Sequence, residues 1–274
     1  MAAIFATAAA WAPIQAIAQT RDVNFAVVGK HAGYEQIGEH RPERQFYSFF
    51  SEIFLAEGTP LGEAALIRPD GREVAFTDQR GAMGPTQDQI LLVRGGRRYD
   101  SAAALDAEWP NGEYVFRYSP PDADEPVSIS VRLGEGEYPA GPAVWLEQNG
   151  AKVAFDSVDP VQDLVVNYTP FESGRADPRQ ICDDMIFVIL RDEDDYKVDH
   201  SGRPFQGQRF MLWSDARRVI PAFALAPASR YTLSVEHAAL EETARGAGVP
   251  VMSTRAVTTV LEIHTLPPLP QIMN

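Results

Sequence analysis

Proline and glycine, 21 and 20 of each, are spread along the whole 274-residue chain. Proline breaks a helix interior and glycine weakens one. Long helices, bundles, coiled coils and solenoids of helix pairs are therefore argued against from the outset. The remaining pattern is β: short runs of β-branched and aromatic residues bounded by turn residues. Hydrophobic residues at 45% and charged ones at 23% are the balance of a globular core and not of a disordered chain. The length suits one large β domain or two ordinary ones. With 38 acidic against 24 basic residues the net charge is −14, which repels nucleic-acid backbones and anionic membrane surfaces. A single cysteine, Cys182, excludes an internal disulfide and a cysteine-rich zinc site.

No charged residue precedes Arg21, and the apolar stretch Ala2–Ala18 closes on Ala16-Ile17-Ala18. A small-x-small triplet after an apolar run predicts a signal peptide over residues 1–18, with cleavage before Gln19. The basic start of such a peptide is missing, and a buried N-terminal helix is the alternative. Export to the periplasm or exterior follows from the first reading. No second hydrophobic span is present, so no integral membrane segment is expected after processing. Residues 267–274 read as an extended proline-rich tail.

Between these ends the strands expected first are Val23–Val28, Arg44–Leu55, Ala64–Arg68 and Arg72–Phe76. The last two are joined by Pro69-Asp70-Gly71, whose Asp-Gly suits a tight hairpin turn. Gln89–Val93 follows, then one short helix begun by Tyr99-Asp100-Ser101-Ala102, capped by Asp100 or Ser101 and closed by Pro110 two residues beyond Glu108. Glu113–Tyr118 and Val127–Leu133 alternate apolar and polar residues and complete a first set. Gly134–Pro142, with three glycines and two prolines, reads as a linker. A second set comprises Trp145–Glu147, Lys152–Phe155, Asp163–Tyr168, Met185–Leu190, Arg209–Trp213, Arg218–Leu225, Tyr231–Glu236 and Ala256–His264.

Leu225-Ala226-Pro227-Ala228-Ser229-Arg230-Tyr231 resembles the E–F corner of a fibronectin type III domain. There a leucine buries under the turn and the tyrosine hydroxyl bonds a corner backbone group. Gln162–Pro170 resembles that family's second strand, with Tyr168 where the family usually has tryptophan; Met185–Leu190 fits the third and Val257–Thr265 the last. The first half is similar to an uncharacterised group of secreted bacterial β-sandwich proteins through Leu105-Asp106-Ala107-Glu108-Trp109-Pro110-Asn111-Gly112-Glu113-Tyr114. The expected fold class is thus all-β: two consecutive Ig-like or fibronectin type III-like sandwiches, residues 19–137 and 138–266, with one short helix. Such a fold implies no activity, because function resides in sites.

The search for sites returns little. His31, His40, His200, His237 and His264 form no zinc spacing. His237 and His264 read as strand-end surface residues, and His31 and His40 as flanks of a loop containing Gly33. A Gly-x-Ser-x-Gly elbow is absent. Cys182 precedes Asp183 and Asp184, which raise a thiol pKa, so it reads as a small, partly buried structural residue. Asp192, Glu193, Asp194, Asp195 and Asp199 offer the hard oxygens calcium takes, in an order that is no EF-hand loop. A solvated hairpin tip gives the same sequence; Asp192, Asp194, Asp195 and Asp199 are the metal candidates, and calcium is the one cofactor considered. Trp109, Trp145 and Trp213 would form a sugar-stacking platform if exposed together.

The functional expectation is an exported, non-catalytic binding or scaffold protein of the bacterial envelope or exterior, with a protein or polysaccharide partner. The alternatives are an extracellular polysaccharide-active enzyme or carbohydrate-binding module, and an assembly subunit that pairs edge strands.

Overall fold

The structure, a computed structural model, describes residues 22–79, 90–95, 97–121 and 125–268. The segment read as a signal peptide, Gln89 and tail residues 269–274 lie outside the described residues. The first half contains β1 (Val23–Glu35), β2 (Glu43–Leu55), β3 (Ala64–Ile67), β4 (Glu73–Ala75), β5 (Thr77–Asp78), β6 (Ile90–Arg94), α1 (Ala102–Glu108), β7 (Gly112–Tyr118) and β8 (Val127–Leu133). The second contains β9 (Val144–Gln148), β10 (Ala151–Val153), β11 (Leu164–Tyr168), β12 (Met185–Arg191), β13 (Lys197–His200), β14 (Met211–Leu212), β15 (Arg217–Ile220), β16 (Arg230–Gly246) and β17 (Val249–His264). The fold is all-β with one short helix.

Nine strands make one sheet in the order β13-β12-β16-β17-β1-β2-β6-β5, with β14 beside β12. Two four-stranded sheets, β4-β3-β7-β8 and β10-β9-β11-β15, complete the sandwiches. Side-chain parity along β17 shows where they sit, because alternate residues of a strand face opposite ways. Val249, Val251 and Val257 enter the core under the first small sheet. Leu261 and Ile263, of the same parity, enter the core under the second. Both small sheets therefore lie side by side on one face of the large sheet. Each inner layer buries alternating apolar residues, such as Tyr114 and Phe116 of β7 and Leu164 and Val166 of β11, as sheet-on-sheet packing demands.

The large sheet is continuous because β1 pairs with β17 in parallel, Ala26–Glu35 against Val251–Val260. The β16–β17 hairpin is correspondingly long, reaching Gly246 and Val249. Its lower half packs under the first sandwich and its upper half under the second. The expected strand Arg218–Leu225 ends earlier, at Ile220, where Pro221 starts a turn. The corner itself forms: the Ala226 N–H donates to the Tyr231 hydroxyl at 2.7 Å, and Leu225 and Tyr231 are buried. His237, expected at a strand end, lies within β16 and is buried. Likewise His31 and Gly33 belong to β1 and not to a loop.

Helix α1 is capped by Ser101, whose side chain accepts the Ala104 N–H. Leu105 anchors it in the first core. Asp106 and Asn111 then turn inward onto Lys30 of β1, a fully buried lysine whose Nζ donates to both at 2.5 Å. Arg255, beside Lys30 on β17, donates to Asn111 Oδ1 at 3.1 Å and to Glu241 at 2.9 Å. Glu241 in turn accepts the Gly134 and Gly136 N–H groups. The segment Leu105–Tyr114 is thus a clasp around the buried Lys30 amine, with buried Arg255 beside it.

Candidate functional site

Among the described residues, the second face of the large sheet carries no further sheet. Along β2 the residues Phe46, Ser48, Phe50, Glu52 and Phe54 project onto it, while Tyr47, Phe49, Ile53 and Leu55 serve the core opposite. Two glycines of β1 make space for these rings. A Cβ on Gly33 would lie 2.4 Å from the Phe46 ring, and one on Gly29 2.7 Å from Phe50. The sheet coils so that residues of β12 and β16 on one side and β2 and β6 on the other line one trough. Its cavity is about 580 Å³, within the range of small-molecule sites.

One end of the trough is filled. Phe25, Phe54, Met185, Leu240 and Met252 form a third apolar cluster there, and Phe205 and Phe210 of the 201–210 segment pack onto it. Phe205 adopts φ 61, an uncommon conformation for a bulky residue, with its ring 5.8 Å from Phe25. The other end is open, floored by half-buried Phe46, Phe50, Phe187 and Ile189.

Charged and polar groups stand over this floor. The Arg98 guanidinium lies 4.0 Å from the Phe46 ring centroid, and Arg203 lies 4.9 Å from that of Phe54. Arg97 and Arg191 also line the wall, paired to Glu108 at 2.8 Å and to Asp195 at 3.5 Å. A hydrogen-bonded row crosses the sheet. Thr258 donates to Glu236 at 2.7 Å, so His31 Nε2 donates to Thr258 at 2.8 Å. Nδ1 of His31 is left facing Ser48 Oγ at 3.4 Å. Burial, reinforced by Arg98, holds His31 down at about 4, so the ring is neutral at physiological pH. Burial raises Glu236, with Glu52 adding to the rise; Thr258 and Arg203 oppose it. The arrangement can orient a ligand that carries negative charge at one end and apolar surface elsewhere.

Other candidates are dispersed. Asp192 Oδ1 accepts the Asp194 and Tyr196 N–H groups at 3.0 and 2.9 Å, forming its own turn. Asp195 sits at φ 65 beside Arg191, and Glu193 lies 3.7 Å from Arg230. Asp199 faces away to Arg218, which grips it with two bonds of 2.9 and 2.8 Å. Among the described residues no three His, Cys, Asp or Glu side chains group as a metal site. Cys182 is buried, and burial followed by Asp183 pushes its thiol up to about 12. The tryptophans do not share a surface: Trp109 is buried and stacked 3.9 Å from Phe49, Trp213 packs on the second core, and Trp145 is on β9. The trough itself escaped the sequence reading. Its signal was the Phe46–Leu55 run, which carries aromatic residues on both faces, so that its second face needs partial cover as well.

No protein-family model matches the chain, and no curated protein does. Among solved structures, the BSP domain of a biofilm-associated protein aligns with 81% of this chain and 28% of its own, at 13% identity and TM-score 0.22. The FN1–FN3 domains of chicken CNTN1 align with 78% of this chain and 62% of theirs, at 12% identity and TM-score 0.21. The chain spans less than two thirds of either. At TM-scores this low the likeness bears on neither activity nor partners.

Proposed function

We propose that the protein is an exported, non-catalytic binding module of the cell envelope or exterior. Its trough takes a small anionic ligand with an aromatic or aliphatic body. The observation that carries this reading is charge segregation. In a chain of net charge −14, four arginines and two carboxylates line one aromatic cavity among the described residues. Low-dielectric walls around one sign of charge concentrate counter-ions, and the Arg98 guanidinium, face-on to the Phe46 ring, can turn its edge donors to an anion. The body of the ligand would lie on Phe46, Phe50 and Phe187. An aromatic sulfonate dye such as anilinonaphthalene sulfonate tests the proposal directly. It is expected to bind one per chain with enhanced fluorescence, and Arg98→Glu is expected to weaken it tenfold or more, about 1.4 kcal/mol. Equal binding of a cationic aromatic dye, or an Arg98→Glu affinity unchanged, would sink the reading. Export is tested by N-terminal sequencing of the protein from its native host, with Gln19 expected first.

A further inference from the structure

We propose that Lys30 and Asn111 become covalently joined, the Lys30 amine displacing ammonia from the Asn111 side-chain amide to leave an isopeptide bond between β1 and the start of β7. The geometry carries this. Lys30 Nζ is fully buried and lies 2.5 Å from both Asn111 Oδ1 and Asp106 Oδ1. A buried lysine held against an acid needs only the acid. Here an amide carbonyl shares the amine, and a second cation, Arg255, donates to the same carbonyl oxygen at 3.1 Å.

Each group has a place in the reaction. Burial lowers the Lys30 pKa against the opposing pull of Asp106, and Arg255 lowers it further. A neutral amine, the nucleophilic form, thereby becomes accessible. Asp106 takes the proton from Nζ as the lone pair attacks Asn111 Cγ. Arg255 stabilises the oxygen as it gains negative charge, in the manner of an oxyanion donor. The carbon–Nδ2 bond then breaks, the proton carried by Asp106 goes to the departing nitrogen, and ammonia leaves. One C–N bond forms and one breaks, with no change in oxidation state. The Asp106 side chain is 36% exposed, which gives ammonia a way out, while on the core side Phe49 pairs with Lys30 across β1 and β2 and stacks with Trp109 and Tyr114. Effective concentration does the rest, since Lys30 is fixed within β1 and Asn111 stands immediately before β7.

The test is the intact mass of the full chain, purified folded and then denatured, followed by a tryptic digest. The expected result is a mass short by one ammonia and a branched peptide joining Lys30 to Asn111. Asp106→Asn is expected to restore the full mass in a folded protein, because it keeps the nucleophile and the amide but removes the proton carrier. Three results would overturn the proposal: full mass with Lys30 and Asn111 in separate peptides, loss of water with Lys30 joined to Asp106, or an ammonia loss that persists in Lys30→Met. The last would place the lost ammonia in a succinimide at Asn111-Gly112, with Lys30 taking no part.

Discussion

A histidine ring stacked 4.6 Å from Phe171 and edge-on to Tyr168 has no place for a charge. Burial accordingly holds His237 down at about 4, below the ~6.5 of the unfolded chain. Between about pH 6.5 and 4 the unfolded chain takes up a proton that the folded chain refuses. Stability is therefore full above that window and falls as pH drops through it. His31 acts with the same sign, whereas Asp184 and Glu236, raised by burial, act oppositely. Replacing His237 by Phe is expected to remove about 2 kcal/mol of acid destabilisation between pH 7 and pH 5. Urea midpoints at pH 7 and pH 5 check this, and an identical shift in both proteins would count against it. Tyr231→Phe, which loses the bond to the Ala226 N–H, is expected to cost about 1–2 kcal/mol; an unchanged denaturation midpoint would remove the corner from the list of stabilising features. The corner was readable because its leucine, proline and tyrosine lie within seven residues of one another. Lys30 was not readable, because its partners lie 76 and 81 positions away.

Elements divide in the same way. The Asp70-Gly71 turn forms as expected, with Gly71 at φ 81, and Asn149-Gly150, another Asx-Gly pair, turns at φ 50 and 77. They join β3 to β4 and β9 to β10. Turn chemistry is local, so sequence displays it. The choice of neighbour for β1 is not local: β17 is more than two hundred positions away, and periodicity carries no information about partners. The β12–β13 hairpin shows a third situation, where composition suggested an ion and geometry offers a self-sufficient turn. Asp194→Asn with Asp195→Asn removes repulsion and one exposed Arg191 pair, which is worth little. Stability is expected to be unchanged or slightly higher, with no calcium-dependent rise in melting temperature. A rise with calcium but not magnesium, lost in the double variant, would instead assign the ion to this hairpin.

At the scale of the molecule, the shared sheet makes the halves depend on one another. A fragment of residues 138–266 would carry β17 without β1, exposing the Val251–Val260 edge and the apolar side chains of Val249, Val251 and Val257. An unpaired flat edge recruits other chains. The fragment is expected to elute as oligomers in size-exclusion chromatography, whereas the full chain unfolds in one calorimetric transition. A monomeric, cooperatively folding fragment would show that the second sandwich is independent of β1.

The parallel pairing of β1 with β17 also decides how the molecule answers a pull. β1 enters the sheet at its first residue and β17 leaves at its last, so tension applied outside Val23 and His264 drags the two strands past each other along their length. Ten paired positions then share the load at once, where an antiparallel terminal pair would open one rung at a time. Along the line from Val23 to His264 the β1–β17 pair is loaded in shear.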